Sequence, residues 1–154
     1  MIKPILDPTF KPAILALREF KKEVAKYENK QHLILAVERD QGFIYRCEFD
    51  ILPDGINDKL NNFIVERFIK SILWVVGGYR IFIAGSKQVF NQINQYYSST
   101  GLRAFDFDFM ATCYEHRVEV VECDYNTIPE EKRCSIPLGG NLDGKRIGFD
   151  AGGS

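Results

Sequence analysis

Two hydrophobic periods alternate along this chain. From Lys11 to Glu28, Ile14, Leu17, Phe20, Val24 and Tyr27 recur at helical spacing among Lys and Glu, with Pro12 in the first turn, which predicts an amphipathic helix. The run His32–Val37 is short and continuously apolar. After a polar break at Glu38–Gly42, Phe43, Tyr45, Cys47 and Phe49 alternate on one face, so the two runs predict a β-hairpin. Pro53-Asp54-Gly55 punctuates its end, and Asn57 or Asp58 stands where a helix cap is expected. Leu60, Ile64, Phe68 and Leu73 then mark a helix to about Val76, stopped by Gly77-Gly78. Trp74, between Leu73 and Val75, reads as a core residue.

Tyr79–Ala84 predicts a strand ending at Gly85-Ser86, followed by a helix with Val89, Phe90, Ile93 and Tyr97 on its inner face. Ala104–Glu115 fits both periods. A short helix is favoured, because the strong strand Arg117–Cys123 follows at once. Asp124–Lys145 is rich in Pro, Gly and charge, and Arg146–Phe149 reads as a final strand. The order α-β-β-α-β-α-(α)-β predicts an α/β fold, or an α+β one, with a mixed sheet in two or three layers and a hairpin at one side. The expected organisation is a helical segment over 1–30, an α/β domain over 31–124, a linker over 125–145, and over 146–154 the opening of a further domain.

Composition narrows the partners. The 154 residues carry 20 basic and 21 acidic side chains, a net charge of -1, so no basic field exists to attract nucleic acid or an anionic membrane. Met1–Pro12 lacks the apolar stretch of a signal peptide, and Ser71–Gly78 is too short to cross a bilayer. The four cysteines, Cys47, Cys113, Cys123 and Cys134, are far apart and lack zinc-knuckle spacing. They read as reduced thiols of a cytoplasmic protein.

Three groups of residues could carry chemistry. Asp150-Ala151-Gly152-Gly153-Ser154 closes the last strand with a carboxylate suited to hydrated Mg²⁺, two glycines that let backbone N–H groups approach phosphate, and a hydroxyl. The same residues read alternatively as a flexible tail. Gly85-Ser86 between a strand and a helix could face a ligand with the helix N-terminus, although an ordinary βα turn with a serine cap is the commoner meaning. Glu38, Asp40, Glu48, Asp50 and Asp54 around the hairpin, like Asp106 and Asp108, could do acid–base work but are more often solvated. His32 and His116 have no ligand-spaced neighbours and read as structural or surface residues.

Gly144–Ser154, with Asp150, Gly152, Gly153 and Ser154 in the loop, resembles the opening of the nucleotide domain in the ROK family (repressors, open reading frames and sugar kinases) of the actin/hexokinase/Hsp70 superfamily. Leu73-Trp74-Val75-Val76-Gly77-Gly78, Tyr79–Gly85 and Arg103–Met110 are similar to segments of the leading domain in longer bacterial ROK-like proteins. The resemblance implies a sugar kinase or sugar-responsive regulator in which Asp150, Gly152, Gly153 and Ser154 contact ATP with Mg²⁺. It also implies that the residues before Gly140 are accessory, building part of a cleft or mediating homodimers. By fold analogy the α/β part is similar to half of a ribonuclease-H-like domain. The family's catalytic Asp, sugar-binding residues and His/Cys zinc cluster lie downstream of the loop and have no counterpart here. This chain alone is therefore expected to be inactive and without bound cofactor. The other reading is a non-catalytic α/β binding or dimerisation module; a third is a small enzyme using the acidic hairpin.

Overall fold

The computed structural model describes residues 12–133. Strands β1 (Gln31–Glu38), β2 (Ile44–Ile51), β3 (Arg80–Ala84) and β4 (Glu119–Cys123) form one sheet in the order β2-β1-β3-β4. The helices are α1 (Ala13–Val24), α2 (Asp58–Val75), α3 (Lys87–Tyr96) and α4 (Ala104–Tyr114). β1 pairs antiparallel with both neighbours, and β3 pairs parallel with β4. The fold is α/β with a mixed sheet. Ala104–Tyr114 is helical, as favoured.

The hydrophobic pattern explains the placement of the strands. Leu33–Val37 is apolar at every position because β1 is central and covered on both faces. Leu33, Leu35 and Val37 join Ile81 and Ile83 beneath Phe20 and Val24 of α1, Ile64, Val65 and Ile69 of α2, Val89 and Ile93 of α3, and Met110 of α4. Among the described residues, helices thus cover one face of the sheet, giving two layers. β2 lies at the edge, and its alternation turns Tyr45, Cys47 and Phe49 toward this core.

On the other face, Ile34, Ala36, Ala84 and Phe82 are covered by Ile128. The stretch expected to be a linker from 125 is packed here. After β4 the chain turns at Asp124, whose carbonyl accepts from Thr127 N–H at 3.0 Å, and seats Ile128 on the sheet. It then pairs with β2 on the far edge, where Ile44 and Lys132 exchange two backbone hydrogen bonds at 3.0 Å. Arg46 binds Glu130 beside them.

Several local expectations are corrected. The first helix stops at Val24, where tight turns to Tyr27 follow, and Ile14 is exposed instead of buried. Neither Asn57 nor Asp58 caps α2 through its side chain. The Asp58 carboxylate instead accepts from Gly55 N–H at 2.7 Å and fixes the turn after the hairpin. Gly77-Gly78 does end α2. A Cβ on Gly77, at φ +83°, would stand 1.8 Å from the Tyr114 hydroxyl, so this exit belongs to glycine. Trp74 is not a core residue. It is 46% exposed, because α2 buries Ile69, Ile72 and Leu73 and turns its next position outward.

Candidate functional site

Exposed positions on α2 recur at Phe63, Arg67, Ser71 and Trp74, a stripe three to four residues apart along the side away from the sheet. The Arg67 guanidinium lies 5.5 Å over the Phe63 ring. On α4, Phe105 and Phe109 are one turn apart and also face outward. The Trp74 ring lies near-parallel to both, at 6.4 Å and 8° from Phe105 and at 5.1 Å and 15° from Phe109. Phe105 is 69% exposed. The three rings form an aromatic platform that continues into exposed Val75 of the same helix.

The platform stands on buried charge. Glu66 and Asp106 are only 3% and 2% exposed, and each has a cation. Arg103 donates to Glu66 and reaches Asp106 at 3.9 Å, while Lys70 approaches Asp106 at 3.5 Å. The indole N–H of Trp74 donates to Asp106 at 2.6 Å, which fixes the ring that solvent sees. Asp106 also sits in the first turn of α4, where its charge favours the helix dipole. The Glu66 hydrogen bond raises the Arg103 pKa further above its ordinary value. The buried Tyr97 hydroxyl lacks a hydrogen-bond partner among the described residues. Burial raises its pKa, and the neighbouring Glu66 and Asp106 charges add to the rise.

The Gly85-Ser86 turn is a second polar site, at the carboxyl ends of β3 and β4, where α/β sheets commonly bind ligands. A cavity of about 600 Å³ lies beside it, lined in part by Lys87, Glu122 and Asn126. The turn itself is internally satisfied. The Ser86 hydroxyl caps α3 by accepting from Val89 N–H at 3.2 Å and donates to Asp54 at 2.8 Å. Gln31 donates to the Gly85 carbonyl, and the Tyr125 hydroxyl donates to the His32 carbonyl at 2.6 Å. A carboxylate already stands beside the N-terminal end of α3, so the turn reads as a capped βα corner.

The remaining acidic candidates are dispersed. Glu38 pairs with Arg80 at 3.0 Å; Asp50 pairs with Lys30 at 2.5 Å and His32 at 3.1 Å. Glu48 lies 3.8 Å from Arg46. No three His, Cys, Asp or Glu side chains among the described residues are placed to hold a metal. His116 stacks on Tyr79 at 4.4 Å, and Cys47, Cys113 and Cys123 are free thiols. No helix among the described residues is long and apolar enough to cross a membrane. Asp150, Gly152, Gly153 and Ser154 lie outside the described residues, as do Cys134 and the final strand.

Sequence reasoning missed the roles of Glu66 and Arg103 and misplaced Trp74, while Tyr97, expected on an inner face, is buried. Comparison with protein-family models, with curated proteins and with solved structures finds no match to this chain.

Proposed function

We propose that this α/β unit is a non-catalytic docking domain that pairs with a second copy of itself through the α2–α4 platform. The observation that carries the reading is the exposed Trp74–Phe105–Phe109 stack, locked from below by Asp106. Contiguous exposed aromatic surface marks interaction sites, and rings already held in place lose little freedom on binding. The patch is also self-complementary. α2 presents the exposed Arg67, and α4 presents the exposed Asp108, so a two-fold pairing can set the cation of one copy against the carboxylate of the other.

Sedimentation equilibrium tests this. The average mass is expected to climb toward that of a dimer with concentration, and to stay at one chain for Phe105→Asp. A wild-type chain monomeric at all concentrations overturns the reading. The resemblance of Gly144–Ser154 to the ROK opening supports a wider role, as the region accessory to an ATP-dependent sugar-phosphorylating unit or sugar-responsive regulator. An open reading frame running past codon 154 into such a unit is the expected finding; a stop codon with no kinase gene adjoining removes that support.

A further inference from the structure

The sheet ends in two edge strands, β2 and β4, and they are finished differently. On β2, Ile44 spends its outward backbone groups on Lys132, at 3.0 Å each way. The following residues whose backbone faces outward, Arg46, Glu48 and Asp50, are all charged and drawn into ion pairs. A covering segment and a row of charges are how folded proteins keep an edge from pairing with other chains.

The β4 edge is left open. Glu119 N–H donates to the Tyr79 carbonyl at 3.0 Å, so Glu119, Val121 and Cys123 turn their backbone groups toward β3. Val120 and Glu122, between them, aim their N–H and C=O groups at the far side, where no backbone partner meets them among the described residues. Val120 packs against the core under the helices and Val121 looks to the opposite face. Each is only half-buried, as befits a strand with a neighbour on one side. Donors and acceptors at strand spacing fit one kind of ligand, another extended backbone.

Charge selects among extended backbones. From Glu119 to Cys123 the strand carries two carboxylates and no cation, and the exposed Asp124 follows. Glu119 is held by Arg80 at 3.0 Å, but Glu122 has no ion pair among the described residues. A second β4 would bring the same carboxylates against it, so a self-pairing is disfavoured. Just before the strand, the exposed Arg117 also has no ion pair among the described residues. We propose that β4 takes up an extended segment of a partner protein as an added antiparallel strand. A basic residue of that segment lies opposite Glu122, β-branched residues opposite Val120 and Val118, and an acidic residue opposite Arg117. The proposal does not rest on the α2–α4 platform and stands if the chain proves monomeric.

The test uses the whole chain and the fluorescein-labelled, amidated peptide Thr-Lys-Thr-Val-Thr-Val-Glu. Fluorescence anisotropy should show saturable one-to-one binding below about 1 mM. Methylating the amide nitrogen of the lysine or of the first valine, each aimed at β4, should weaken binding at least about tenfold. Methylating the threonine between them, whose N–H faces away, should cost less than about threefold. Glu122→Lys should weaken the peptide at least about threefold, and replacing the peptide's lysine with glutamate should restore it. Glu122→Pro removes an N–H that points away from β3, so it should abolish binding with circular dichroism unchanged. Amide exchange at Val120 and Glu122, followed by NMR, should be fast in the free chain and slow at least about tenfold at saturation. No saturable binding up to about 1 mM overturns the proposal. So do equal losses for all three methylated peptides, or a Glu122→Lys variant that binds as the wild type does. Val120 and Glu122 amides already protected in the free chain also overturn it, giving the edge to the chain's own remaining residues or to a second copy.

Discussion

The βα corner at Gly85-Ser86 and the platform on α2 and α4 use the same materials to opposite ends. Each sets a carboxylate in or beside the first turn of a helix and gives it donors from another element. At the corner, Asp54, Ser86, Tyr125 and the Gln31 amide N–H spend their hydrogen bonds on one another and on the backbone, and the buried Gln31 Oε1 is left without a partner among the described residues. At the platform, Asp106 takes the indole N–H of Trp74 and two cations from below, and the flat rings remain in solvent. A polar constellation with partners for its groups is architecture, whatever chemistry its residue types suggest. An apolar surface held rigid by buried charge is what a partner can use.

The comparison can be broken at its most constrained point. Gly85 has φ +108°, and a Cβ there would stand 2.0 Å from the His32 carbonyl oxygen. Gly85→Ala should lower unfolding free energy by at least about 3 kcal/mol in urea denaturation. An unchanged midpoint would mean that the corner is not tightly built. Asp106→Ala comes next, at about 2–3 kcal/mol, because it leaves the Trp74 indole N–H, Lys70 and Arg103 short of a partner. Asp106→Asn should cost less, since its amide oxygen can still accept from the indole, and near-equal losses for the two would show that charge alone matters there.

Smaller effects sharpen the contrast. Ser86→Ala removes a helix cap and should cost about 1 kcal/mol, with α3 retained in circular dichroism. Phe105→Ala should change stability by less than about 0.5 kcal/mol while weakening self-association at least about tenfold, as expected of a surface anchor. A large stability loss would make the platform a core that happens to be exposed. The smallest effect concerns acid. The hydrogen bond from Lys30, then that from His32, lowers the Asp50 pKa below its ordinary value. The stability this gives is complete above the ordinary carboxylate range and is lost as pH falls through the lowered value. Asp50→Asn should therefore flatten the acid limb of the stability–pH curve below about pH 4, and an unaltered limb would remove the ion pair from the account.

Most elements were legible because their signals are local. The apolar run His32–Val37 and the alternation from Phe43 to Phe49 announced the two strands of a hairpin, and the Gly77-Gly78 stop a helix end. The errors share a physical origin in tertiary choice. Trp74 sits among Leu73, Val75 and Val76, and composition cannot say which turn of α2 faces the sheet once α4 has packed beside it. Ile128 stands alone in a polar run and carries no period, so its seat on the sheet was invisible. The charged network draws Glu66, Lys70, Arg103 and Asp106 from two helices and the loop before one of them, which no spacing rule connects. Of the candidate sites, the corner was legible as a capped turn. The loop at Asp150–Ser154 lies outside the described residues.

The chain's passage over the second face of the sheet has a mechanical consequence. A pull applied at Arg133 meets the attachments one after another: the Ile44–Lys132 pair, the Arg46–Glu130 bond, then the seat of Ile128. They yield in series, as a strip peels, and the β3–β4 ladder is not sheared until they are gone. Each residue freed lengthens the tether by about 3.3 Å. A load applied at Arg133 therefore reaches the β2 edge of the sheet first and the β3–β4 pairing last.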